Sequence, residues 1–122
     1  MRVKFIPYSL LVFLLCSLRC FAVDHSYQLV IENHVFIPSV IEIPANKKVK
    51  LIIHNKDALA EEFDSFDLNR EKVIFAGKKS TLYIGPLAAG EYRFFGEYHP
   101  VSAQGKIIVK KTAKRKEKNN AH

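Results

Sequence analysis

The chain has 122 residues, a formal net charge of +7, two cysteines and one methionine. The excess charge sits at the two ends: residues 23–109 hold 10 basic and 11 acidic side chains, so the body is not the basic surface that nucleic acid requires. A chain of this length suffices for one domain with one modest core.

The N-terminal MRVKF places Arg2 and Lys4 ahead of the apolar run IPYSLLVFLLCSL. That run is about a dozen residues, well short of the ~20 needed for a membrane-crossing helix. Cys20 and Ala22 are small residues suited to the recognition positions before a cleavage point. Residues 1–22 therefore read as a secretory signal peptide cleaved after Ala22, and the product is expected in the periplasm. Both cysteines and Met1 belong to that leader. The exported chain then has no thiol, although its compartment would permit disulfides. It has to fold on packing, or on packing and a ligand.

From Tyr27 onward the pattern is β. YQLVIE (27–32), VIEIP (40–44), KVKLIIHN (48–55), KSTLYIG (79–85), EYRFFGEY (91–98) and KIIVK (106–110) read as strands. Turn signals separate them at Pro38-Ser39, at 45–47, at Ala76-Gly77 and from Gly85-Pro86 to Gly90. Short strands at this spacing indicate an all-β sandwich or barrel. Lys56–Lys72 is the least regular segment, with six acids from Asp57 to Glu71; a short helix or an acidic loop is expected there. Phe63, Phe66, Phe75, Tyr83, Tyr92 and Phe94 are read as core. The domain is expected to span 23–110, followed by a basic, disordered tail over 111–122. The tail's charge suits an anionic lipid surface or an acidic partner. No aromatic residue interleaves with it, so it lacks the stacking groups of a single-strand nucleic-acid binder.

Three stretches fall in a telling order. NKDALAEEF (55–63) follows a strand; GPLAAGEYRFF (85–95) is a turn and a strand; GEYHPVSAQGKIIV (96–109) is a loop and a final strand. This order resembles the cupredoxins, and the resemblance implies a Greek-key β-sandwich of seven to eight strands over nearly the whole exported chain. In that family a cysteine follows Tyr-x-Phe-x, a histidine lies in the next loop, and another histidine follows an earlier Asn-x-Asp. Here Gly96 stands at the cysteine position and Glu61 at the early histidine position; His99, before Pro100, matches the loop histidine. Ser102 or Ala103 falls where the axial methionine would be. A blue copper site needs a thiolate, so blue-copper electron transfer is excluded. Ala58–Ile74 and Tyr92–Val109 resemble the cupredoxin-like domains that accompany bacterial high-affinity iron uptake. That likeness implies a periplasmic metal-handling partner of a membrane iron permease.

The two loops carrying these residues should emerge at one end of such a sandwich. They would bring together Glu61, Glu97 and His99, with Glu62 and His34 as secondary candidates. Glu61 and Glu62 are adjacent, so in extended backbone they face opposite ways and only one can be a ligand. Carboxylates with an imidazole suit Fe(II), Fe(III), Mn(II) or Cu(II) and not Cu(I). Three functional expectations follow. The first is a metal-binding protein serving iron uptake, with an iron or copper ion. The second is a metal-free sandwich acting as an interaction module. The third is a ferroxidase, for which no electron acceptor is legible.

Overall fold

A computed structural model describes Arg2 and residues 25–111. The expected signal peptide and nearly all of the expected basic tail lie outside the described residues. Nine strands run in chain order: β1 (Ser26–Glu32), β2 (Val35–Ile37), β3 (Val40–Pro44), β4 (Val49–Asn55), β5 (Glu61–Ser65), β6 (Arg70–Ile74), β7 (Lys79–Ile84), β8 (Gly90–Gly96) and β9 (Gln104–Lys110). They form a four-stranded sheet ordered β2-β1-β4-β7 and a five-stranded sheet ordered β3-β9-β8-β5-β6. The all-β sandwich is as the sequence indicates.

The period of two writes the core. β4 alternates buried Val49, Leu51, Ile53 and Asn55 with half-buried Lys50, Ile52 and His54. Leu29 and Ile31 of β1, Ile41 and Ile43 of β3, and Ile107 and Val109 of β9 do the same from their own strands. Between the sheets Phe36, Phe63 and Phe94 form an aromatic cluster with ring centroids 5.0–6.1 Å apart. Gly105 is required there, because a Cβ would come within 2.5 Å of the Phe94 ring.

β1 pairs parallel to β4, and β3 parallel to β9. These crossovers send the chain from one sheet to the other and leave three connections at one end: the β1–β2 turn, the β4–β5 loop and the β8–β9 loop. The β1–β2 turn is tight, with Asn33 at φ 53° and His34 at φ 59°. Two successive left-handed residues are the type I′ arrangement that matches strand twist.

Two expectations are corrected. The irregular segment is neither helix nor acidic loop but the β5–β6 hairpin, pairing Glu61 with Ile74 through Ser65 with Arg70. Its alternation is masked because Glu61 and Ser65, not apolar residues, accompany Phe63 on the buried face. The aromatic core is also smaller than expected. Phe63 and Phe94 are buried and Tyr92 packs against the core, but Phe66, Phe75 and Tyr83 are exposed. Phe66 lies in the hairpin turn and Phe75 just past β6, where the chain has left the inter-sheet space.

Candidate metal centre

Glu61 opens β5 on the inner face and is 1% exposed. Its carboxylate is held at both oxygens. Oε1 accepts the backbone N–H of Tyr98 at 3.0 Å and that of Glu62 at 3.1 Å. Oε2 accepts Nδ1–H of His99 at 2.6 Å. A buried carboxylate is costly unless it is hydrogen-bonded, and here three donors converge on it.

Gly96 explains why this carboxylate fits. A Cβ at position 96 would lie 2.7 Å from Glu61 Cδ, 2.7 Å from Oε1 and 2.7 Å from Ala103 Cβ. The volume that a side chain at 96 would fill is occupied by the head of Glu61. Glycine at 96 and glutamate at 61 are thus one steric unit.

His99 sits in the turn after β8. Its N–H donates to Gly96 O at 3.2 Å, and its carbonyl accepts Ala103 N–H at 2.9 Å. Its ring stacks on that of His34, with centroids 3.6 Å apart and planes 16° from parallel. Asp57 fixes the His34 turn by accepting the backbone N–H groups of Asn33 at 2.7 Å and His34 at 3.0 Å. His34 Nδ1 is 3.5 Å from Asp57 Oδ2. Ser102 Oγ donates to His34 O at 2.7 Å. Behind Asp57, the buried Asn55 side chain accepts Asp57 N–H at 2.9 Å and donates to Leu59 O and Ile74 O. All three connections are therefore tied to one another by side chains.

The electrostatics follow from these contacts. Burial pushes the Asp57 carboxyl up. The His34 and Asn33 N–H groups and the nearby His34 and His99 rings pull it down further, leaving its pKa below the ordinary value of 3.8. Burial pushes Glu62 up, and the neighbouring Glu71, Asp64 and Glu97 carboxylates add to it.

His34, Glu61 and His99 each offer a ligand atom, all within 4.8 Å of one another. The structure thus joins two of the three principal candidates, Glu61 and His99, with the secondary candidate His34. It does not bring in the others. Glu97 is exposed and its backbone N–H pairs with Glu62 O at 2.9 Å. Glu62 lies on the opposite face of β5, beside Asp64 and Glu71. Asp57 and Ser102, which position the His34 turn, carried no recognisable signal as partners, since each acts on backbone atoms remote in sequence.

A two-sheet sandwich with two parallel crossovers and donor side chains on the connections at one end defines the class, a cupredoxin-type β-sandwich. The chain belongs to the cupredoxin-like domain family, whose model matches residues 6–109; the match begins inside the apolar N-terminal run. An uncharacterized protein of Rickettsia prowazekii (strain Madrid E) is 43% identical over 82 residues, covering 67% of this chain and 66% of that protein. This chain thus spans just under two thirds of that relative. Among solved structures, auracyanin A, a "blue" copper protein from Chloroflexus aurantiacus, superposes with a TM-score of 0.62 at 13% identity, over 71% of this chain and 99% of its own. A chain of a heme-copper terminal oxidase dimer superposes with a TM-score of 0.60 at 23% identity, over 72% of this chain and 66% of its own. Both structural likenesses speak to the fold.

The thiolate-bound copper that this fold often carries does not fit here. Residues 25–111 contain no cysteine, and the Glu61 carboxylate fills the space beside Gly96.

Proposed function

We propose that this protein binds a transition-metal ion, with copper(II) favoured, through His34, Glu61 and His99, in a site without thiolate ligation. The observation that carries this reading is the convergence of two imidazoles and one buried carboxylate within 4.8 Å. Imidazole and carboxylate together suit Cu(II), which also stands highest in the general affinity order of divalent first-row metals.

The pair His99–Glu61 needs little movement to accept an ion. Two N/O ligands about 2.1 Å from a metal at a right angle stand about 3.0 Å apart, against the present 2.6 Å. The ion would take the place of the proton between them, and the neutral ring would then carry its proton on Nε2. His34 has to move more. Parallel stacked rings send their in-plane lone pairs side by side rather than to one point, so one ring turns on coordination. His34 is the ring that turns: its side chain is 39% exposed and its contact with Asp57 is long, at 3.5 Å, whereas Glu61 fastens His99.

Titration of the purified protein with Cu(II), followed by calorimetry and electron paramagnetic resonance, tests this reading. One equivalent binds with nitrogen hyperfine structure and no intense blue band, and His34→Ala combined with His99→Ala abolishes it. Equal Cu(II) affinity in the wild type and the double variant would overturn the site, and a wild type that binds no Cu(II) would favour the metal-free interaction module. The same titration with Fe(II) and Fe(III) decides the choice of ion.

The partnership with a membrane iron permease and the periplasmic address are proposals. They rest on the likeness of residues 58–74 and 92–109 to the iron-uptake subgroup and on the N-terminal leader. Loss of iron uptake on deletion, restored by the wild type and not by His99→Ala, is the expected outcome.

A further inference from the structure

Charge is spread unevenly over the two ends of the sandwich. The described chain enters at His25, whose carbonyl accepts Lys50 N–H at 2.8 Å, and leaves past Lys110, whose carbonyl accepts Ala45 N–H at 2.9 Å. Asn46 N–H donates to Leu87 O at 2.8 Å. The β3–β4 turn, the β7–β8 loop and both ends of the described chain therefore sit together at one pole. His34, Glu61 and His99 lie at the other. β4 joins the two poles over seven residues, about 23 Å at ~3.3 Å each.

Lys47, Lys48, Lys50, Lys110 and Lys111 stand at the first pole, and all but the half-buried Lys50 are exposed. The two acids nearest it are already matched, Glu42 by Lys110 at 2.9 Å and Glu91 by Lys106 at 3.4 Å. Among the described residues none of Lys47, Lys48, Lys50 and Lys111 forms an ion pair. The far pole has the opposite balance, with Glu32, Asp57, Glu61, Glu62 and Glu97 against Lys56, Lys78 and Lys79. The lysines of the first pole border apolar and aromatic surface. Lys48 Nζ lies 4.9 Å over the ring of the exposed Tyr83, which pairs with Lys50 across β4–β7. Pro86, Ala88 and Ala89 of the β7–β8 loop are exposed beside them. From the same pole the sequence continues beyond Lys111 with Lys114, Arg115, Lys116 and Lys118 against Glu117.

We propose that this lysine pole docks on an anionic lipid surface, with the His34–Glu61–His99 end turned away from it. Lysines bordering a tyrosine and small apolar side chains have the composition of an interfacial surface. The ammonium groups meet the headgroup phosphates, while the Tyr83 ring and the β7–β8 loop settle at headgroup level. Attraction between exposed charges reaches about a Debye length, ~10 Å at 0.1 M salt. The lysine pole therefore senses the surface, and the acidic pole, about 20 Å away along β4, is screened from it. A body whose net charge is near zero can bind for this reason, because the charges are segregated and not because they are in excess. The basic residues after Lys111 add to the same pole, since the chain leaves the domain there.

The test is co-sedimentation of the purified protein, freed of its leader, with vesicles of phosphatidylcholine alone and of equal parts phosphatidylcholine and phosphatidylglycerol. Every strand lies within Ser26–Lys110, so the leader contributes none of the sandwich. Binding is expected only with phosphatidylglycerol and should fade as added salt screens it. Lys47→Glu/Lys48→Glu should weaken partition at least about tenfold, since each basic residue at such a surface contributes roughly fivefold. Lys78→Glu/Lys79→Glu makes the same change of net charge at the far pole, on exposed side chains, and should leave partition within about twofold. The sequence contains no tryptophan, so Ala89→Trp makes the β7–β8 loop a single fluorescent reporter, and its emission should shift to the blue on phosphatidylglycerol vesicles. No binding to either vesicle, equal binding to both, or equal losses in the two lysine pairs would overturn the proposal. So would an emission maximum that binding does not move. Partition that survives Lys47→Glu/Lys48→Glu but is abolished by truncation after Lys111 would assign the binding to the tail alone and overturn it too.

Discussion

The steric coupling of Gly96 to Glu61 makes a sharp prediction. In Gly96→Ala the new methyl would sit 2.7 Å from Glu61 Cδ and Oε1 and 2.7 Å from Ala103 Cβ. Ordinary carbon–carbon contact lies near 3.5–4.0 Å, so three contacts have to open by about an ångström. Little room exists. Ala103 is fully buried, and the Glu61 oxygens are fastened by Tyr98, Glu62 and His99. Overpacking of one methyl in a tight interior costs about 1–3 kcal/mol. For a domain of this size that is a fall in melting temperature of about 4 °C or more per kcal/mol. Urea unfolding followed by circular dichroism measures it directly. The specific signature is coupling. Glu61→Ala alone also destabilises, because it strands buried donors, but it removes two of the three clashes, so the double variant should lose less than the sum of the singles. Gly96→Ala melting like the wild type, or strictly additive single and double variants, would refute the idea that glycine at 96 exists to admit the carboxylate.

Other outcomes follow from the same connections. Asp57 has a folded-state pKa depressed below its unfolded value, so its contribution is present above the unfolded pKa and is lost as pH falls through the folded one. The stability gap between the wild type and Asp57→Asn, measured by urea unfolding, should therefore be widest near neutrality and shrink below about pH 3.8; a gap independent of pH would contradict it. Asn55→Ala removes a fully buried amide that serves Asp57, Leu59 and Ile74. Each stranded buried group costs about 1–3 kcal/mol, and hydrogen exchange should rise across the β4–β5 loop before the rest of the domain.

How much of this was legible depends on the element. β1, β3, β4, β7, β8 and β9 were readable because each buries one face, and alternation with turn residues marks them. β5 and β6 were not, because β5 carries acids on both faces: Glu61 inward, Glu62 and Asp64 outward. No local pattern separates a buried acid from a solvated one, since the difference is made by donors that arrive from other strands. Phe66 and Phe75 misled for the converse reason, as aromatic character does not say on which side of a turn a ring will fall, and Tyr83 takes an outward position of β7 between buried Leu82 and Ile84.

The sequence by itself determined the class of fold and the exclusion of a thiolate copper site, and it marked Glu61 and His99. These follow from periodicity and from the absence of cysteine in residues 25–111, both local properties of the chain. Only the tertiary structure decided the company those residues keep. The type I′ turn and the parallel pairing of β1 with β4 bring His34 onto His99, across 65 residues of sequence. The strand pleat separates Glu61 from Glu62, and Glu97 is left in solvent. The GEYH loop thus supplies one imidazole, together with a glycine whose missing side chain admits the carboxylate that holds it.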